Sequence, residues 1–158
     1  VKLWDIPAGQ LVTTLRGHEG PVWGVTYSHD GQLIATAGSD QTVKLWTAQG
    51  EFVETLSGHE DSVYEVQFSN DDQLILSASD DQTIKVWRRD GVLLGSLTGH
   101  GDSIYDISMG ADSTLISGSL DGRVIIWNLE HFTLSGLVEQ GCDRLQDYLR
   151  SQAIDLCR

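Results

Sequence analysis

"GSDQTVKLW", residues 38–46, runs from turn-forming residues into an alternating, β-rich segment that ends on Trp46. The phrase returns as "SDDQTIKVW" at 79–87 and, more loosely, as "SLDGRVIIW" at 119–127. Working outward, His18, His59 and His100 each follow a glycine and recur at a spacing of 41, and Trp46, Trp87 and Trp127 follow them by 28, 28 and 27 residues. Residues 18–58 align with 59–99 without a gap, at 18 identities in 41 positions. The third copy is one residue shorter, and the deletion falls within 108–115, where a turn is expected. A fixed period of this size marks a structural unit written several times.

Within each copy the pattern has period two and the runs are short. "VWGVTYS", "LIATAGS", "TVKLW" and "EFVETL" are four β-rich segments separated by "HDG", "SDQ" and "AQG". The second copy offers "VYEVQFS", "LILSAS", "TIKVW" and "VLLGSL". Connections this short cannot hold crossover helices, so the segments predict four-stranded antiparallel meanders. Residues 1–130 show no sustained helical period. The fold class is therefore all-β, and a four-stranded unit of this length has the dimensions of a propeller blade.

The "GH" pairs at 17–18, 58–59 and 99–100, together with "KLW", "KVW" and "IIW", resemble the WD-repeat family over roughly residues 1–130. The literal W-D pair stands only in the opening "VKLWD". The resemblance implies a partial β-propeller of about three and a half blades. Residues 1–15 would be strands c and d of a truncated blade, 16–57 and 58–98 full blades, and 99–130 a last blade lacking a regular fourth strand. It also implies a buried hydrogen-bond chain in each blade, from Trp through a hydroxyl and His to Asp. Matched residue by residue, the chains would be His59–Ser79–Asp81–Trp87 and His100–Ser119–Asp121–Trp127. In the first blade Gly38 stands at the hydroxyl position, leaving His18, Asp40 and Trp46 to pair in part and that blade less rigid.

Such Ser, His and Asp sets are also the parts of a nucleophilic hydrolase. A catalytic serine must be exposed beside an oxyanion hole, whereas here the hydroxyl would be held inside a blade and duplicated in the next. The set is structural, and no catalytic residue is expected. Histidines 41 residues apart sit in different blades, so no metal site is expected either. No P-loop, GxGxxG or C-x-x-C motif occurs, and no cofactor is expected. A net charge of −13, with no basic cluster beyond Arg88–Arg89, disfavours nucleic acid and anionic membranes and is compatible with a basic protein partner. Cys142 and Cys157 are too few to build a disulfide fold, which points to a reducing, cytoplasmic setting.

The chain opens on Val1 and has one methionine, Met109, as an excised piece of a longer protein would. Cys142, Leu145 and Leu149 in the tail 131–158 predict a short amphipathic helix over 142–151. The stretch "GCDRLQDYL" resembles the ends of large bacterial WD-repeat proteins, implying the sensing or partner-binding end of a bacterial signalling protein. Open blade edges would be covered by remaining blades of a longer chain or by self-association.

The function expected is a non-catalytic protein-interaction scaffold. The alternative is a propeller that supplies a substrate-binding face to a larger enzyme. In the family, the fifth residue after each "GH" histidine, here Trp23, Tyr64 and Tyr105, lies on the top face near the channel mouth. So do Pro21, Ser62 and Ser103, two residues earlier, and Ser39, Asp80 and Leu120, which precede the turn aspartates. Three aromatics at one repeat position would form an arc of rings for a protein or peptide partner. Acidic neighbours Glu19, Glu60, Asp61 and Asp102 favour one with exposed Lys or Arg.

Overall fold

The computed structural model describes residues 1–132. Its strands follow in chain order with no crossover. Strands β1 (Lys2–Asp5) and β2 (Gln10–Thr14) form a two-stranded ribbon. β3 (Val22–Tyr27), β4 (Leu33–Gly38), β5 (Thr42–Thr47) and β6 (Phe52–Ser57) make the first full blade. β7 (Val63–Phe68), β8 (Leu74–Ser79), β9 (Thr83–Arg88) and β10 (Leu93–Thr98) repeat it. β11 (Ile104–Met109), β12 (Thr114–Ser119) and β13 (Val124–Asn128) form a three-stranded sheet, followed by a 3₁₀ turn at Glu130–Phe132. Every pairing is antiparallel. The all-β partial propeller expected from the repeats is what forms; the helix expected at 142–151 lies outside the described residues.

Turn chemistry explains the meander. Each turn between the second and third strand of a blade holds one left-handed residue, Gln41 (φ 67°), Gln82 (φ 68°) and Gly122 (φ 77°). The aspartate before it braces the turn: Asp40 accepts the Thr42 hydroxyl at 2.8 Å, Asp81 the Thr83 hydroxyl at 2.7 Å, and Asp121 the Arg123 N–H at 2.8 Å.

Alternation then gives each sheet two apolar faces. Ala35, Ala37, Val43 and Leu45 of the first blade pack against Val63, Val66 and Phe68 of the second. Leu76, Ala78, Ile84 and Val86 of the second do the same against Ile104 and Ile107 of the third. The core therefore lies between the blades, and one interface is built twice. On the other side of the first blade, Ile34 and Trp46 bury against Leu15, with Leu3 of the ribbon beside them.

Candidate functional site

The four-residue chain is present in all three blades, but its hydroxyl is not the one the sequence pointed to. Trp46 Nε1 donates to Thr36 Oγ1 at 2.9 Å, Thr36 lies 2.8 Å from His18 Nε2, and His18 Nδ1 lies 2.9 Å from Asp40. In the second blade Trp87 donates to Ser77 at 2.9 Å, Ser77 meets His59 Nε2 at 2.7 Å, and His59 Nδ1 meets Asp81 at 2.7 Å. The third has Trp127 to Ser117 at 2.8 Å, Ser117 to His100 at 2.8 Å, and His100 to Asp121 at 2.9 Å. Because indole can only donate, the hydroxyl passes its proton toward Nε2, which assigns the Nδ1–H tautomer and points it at the carboxylate.

Ser79 and Ser119 are thus displaced from the role expected of them. Ser79 Oγ donates to the Ser62 carbonyl at 2.9 Å and accepts the Asp81 N–H at 3.1 Å, and Ser119 Oγ donates to the Asp102 carbonyl at 3.0 Å. Residues two apart on a strand share a face, so either position satisfied the sequence pattern. The available signal was that, of these two positions, only the one at 36, 77 and 117 carries a hydroxyl in every copy. The first blade accordingly lacks nothing. Its Gly38 makes room instead: a Cβ there would stand 2.4 Å from His18 Nδ1 and 2.7 Å from Asp40 Oδ1.

The carboxylates pin the loop before each first strand. Asp40 accepts the Glu19 N–H at 3.0 Å, Asp81 the Glu60 N–H at 3.0 Å, and Asp121 the Gly101 N–H at 2.9 Å. Burial would raise the Asp40 carboxyl, yet hydrogen bonds from Glu19, His18 and Thr42 bring it down to about 2. Asp81 and Asp121 are held further below the usual carboxylate range, by the same contest between burial and donors.

This loop carries the face expected to meet a partner. A β-bulge interrupts the register of each first strand between Val22 and Gly24, Val63 and Glu65, and Ile104 and Asp106. The unpaired residues are Trp23, Tyr64 and Tyr105, and a bulge re-aims its side chain out of the alternation. Trp23 is 56% exposed and Tyr105 46%, with Tyr64 half-buried between them. Trp23 meets Tyr64 edge-on at 6.1 Å between centroids, and Tyr64 lies 4.6 Å from Tyr105 at a 35° tilt. The sequence located these residues but not the bulge, because a bulge is a pairing property.

The remaining face residues join the same loops. Ser39 N–H donates to the Pro21 carbonyl at 2.9 Å, Asp80 to Ser62 at 3.0 Å and Leu120 to Ser103 at 3.0 Å. Pro21 and Leu120 are exposed, and Ser39, Ser62 and Asp80 are half-buried. Ser103 is only 7% exposed and gives its hydroxyl to Asp80, which also accepts the Tyr64 hydroxyl at 3.3 Å. It closes the seam between blades rather than lying open on the face. Burial, then Tyr105 and Asp80, push the Tyr64 phenol up to about 12. Beneath the arc, burial and the nearby Asp106 carboxylate raise the Glu65 carboxyl. Among the described residues no group of His, Cys, Asp or Glu is placed to hold a metal ion.

Three stretches, 9–47, 50–88 and 91–128, match the model of the family described as "WD domain, G-beta repeat". Each match starts near the last strand of one sheet and ends on the third strand of the next, so the repeat in sequence and the blade in space are offset by one strand. Among curated proteins, the chain is 61% identical over 36 residues to "U4/U6 small nuclear ribonucleoprotein Prp4" of Mus musculus, covering 23% of this chain and 7% of that protein. It is 43% identical over 44 residues to "Periodic tryptophan protein 2 homolog" of Schizosaccharomyces pombe, covering 28% and 5%. It is 46% identical over 50 residues to "Protein transport protein SEC13" of Yarrowia lipolytica, covering 29% and 17%. The chain thus spans a small part of the length of these relatives. They are eukaryotic, and the expectation of a bacterial protein finds no support in them. With the three family matches together covering more than half of its residues, the chain belongs to the WD-repeat family.

Proposed function

We propose that this chain is a non-catalytic interaction scaffold that captures a protein or peptide with exposed Lys or Arg side chains on the arc Trp23–Tyr64–Tyr105. Domains of this family generally serve as protein-interaction scaffolds, which supports the first half of the reading. The observation that carries the second half is the arc itself. Bulges present three rings in contact, two of them open to solvent, within a rim of exposed Glu19, Glu60, Asp61 and Asp102. Aromatic faces attract cations, and the rim steers them. A basic side chain reaching past the rings would also relieve the repulsion between Glu65 and Asp106. Rim, arc and acid pair all select the same sign of partner.

A bacterial signalling role rested on the tail and gains nothing from the described residues. A cytoplasmic setting rests on the cysteine count alone and stays part of the proposal.

Panels of basic, neutral and acidic peptides tested for binding would check the reading. Basic peptides should be retained, with affinity that falls as salt rises. The double replacement Trp23→Ser and Tyr105→Ser should weaken retention at least tenfold with little change in melting temperature, as expected for an interface anchor. Equal binding of acidic peptides, or a large fall in melting temperature, would overturn it.

A further inference from the structure

The first two blades meet across an ion pair whose counterpart between the second and third is incomplete. In the first blade's turn after β3, Asp30 Oδ1 accepts the Ser28 hydroxyl at 2.7 Å and the Gln32 N–H at 3.0 Å. Its Oδ2 accepts Arg89 Nη2, from the second blade, at 2.7 Å. In the turn after β7, Asp71 repeats the first half of this arrangement: its Oδ1 accepts the Ser69 hydroxyl at 2.6 Å and the Gln73 N–H at 3.1 Å. Among the described residues no cation pairs with its other oxygen.

The reason is one substitution in the repeat. Arg89 and Leu129 both stand two residues after the strand tryptophan, and both donate their backbone N–H to the neighbouring turn, Arg89 to Gln73 at 3.0 Å and Leu129 to Ser113 at 2.9 Å. Leucine has no charge to offer Asp71. Where the guanidinium would lie there is a cleft of ≈ 240 Å³, lined by Asp71 and Asp112 and walled by Leu74, Met109 and Leu129. Arg89 instead spans its own seam to Asp30 and also reaches the Asp72 carbonyl at 3.4 Å, and it borders a separate cleft of ≈ 470 Å³ with Gly31, Leu33 and Ala48.

We propose that this cleft receives an arginine side chain from another polypeptide, completing between the second and third blades the pair that Arg89 makes between the first and second. The apolar wall takes the methylene stem while the guanidinium lies against Asp71 Oδ2 and Asp112. Arginine rather than lysine fits because the internal precedent uses two nitrogens of one planar fork, on a carboxylate and on a carbonyl. The net charge of −13 draws a cation in. The cleft lies at the opposite end of the strands from the aromatic arc, so it is a separate site.

N-acetylarginine amide titrated into the 158-residue chain should shift the amide resonances of Asp71, Gln73 and Leu129 saturably, and N-acetyllysine amide should do so more weakly. Asp71→Asn keeps an oxygen for Ser69 and Gln73, so the turn persists, but should weaken binding about fivefold, as loss of a solvent-accessible ion pair does. Leu129→Arg should fill the cleft from within and abolish the shifts. Unchanged binding in both variants, or no saturable shift in the parent chain, would overturn the proposal. So would shifts that emerge only after Arg144, Arg150 and Arg158 are changed to Gln, since the chain's own tail would then be the occupant.

Discussion

Ser77 Oγ takes the Trp87 indole proton and faces His59 Nε2, and all three groups are buried. Ser77→Ala strands both nitrogens away from water and should cost about 1–3 kcal/mol. Ser79→Ala should cost less, under about 1.5 kcal/mol, because the Ser62 carbonyl it releases still accepts the Asp80 N–H at 3.0 Å, leaving the Asp61 carbonyl and the Asp81 N–H as the groups that lose a partner. Urea melts of the two variants rank them; the reverse order would mean that the loop, not the tetrad, is the stronger brace. Gly38→Ala belongs with the costly changes. The space a methyl would need is already taken by the imidazole and carboxylate of His18 and Asp40, and overpacking of this kind costs about 1–3 kcal/mol.

The turns and the strands carry opposite pH dependences. Asp40 is brought down to about 2 in the fold from its ordinary 3.8, so its stabilisation is complete above 3.8 and lost as pH falls through 2. Asp81 acts in the same direction. Glu65 on β7 has the other sign. Its folded carboxyl binds its proton more tightly than an unfolded one, because burial and Asp106 disfavour the charge. Ionising it therefore removes stability as pH rises above its ordinary 4.5. Glu65→Gln should raise the melting temperature at pH 7.5 and leave it unchanged at about pH 4, where the native carboxyl is protonated. Thermal melts at both pH values decide; equal effects at both would mean that shape, not charge, sets the difference.

On the scale of the molecule, one interface is built twice and then left open. Leu76, Ile84 and Val86 of the second blade are buried against the third, while Ile116, Val124 and Ile126 occupy the same face of the third blade and are exposed. Val86→Thr inserts a hydroxyl into a dry seam and should cost about 1–3 kcal/mol. Ile126→Thr, at a position 69% exposed, should stay within about 0.5 kcal/mol in the isolated chain. Denaturant midpoints for the pair test this, and a large loss for Ile126→Thr would show that this face is covered in solution by a second copy.

The repeat phrase, with its period of 41, determined the strand order, the antiparallel meander and the blade. Alternation and turn residues act over a few neighbours, so one sequence suffices to read them. The aspartates, histidines and tryptophans of the tetrads were legible for the same reason, each at a constant distance from its turn. The tertiary structure alone decided which hydroxyl closes each tetrad, since Ser77 and Ser79 share a face and only packing places one of them under Trp87. It decided the bulges that turn Trp23 and Tyr105 outward, because a bulge exists between strands and not along one. It also showed that Gly38 serves by its emptiness, and that Leu129 leaves Asp71 facing a cleft where Arg89 closes the preceding seam. These are meetings of residues some 10 to 60 positions apart, and their distances exist only once the strands have paired and the blades have stacked.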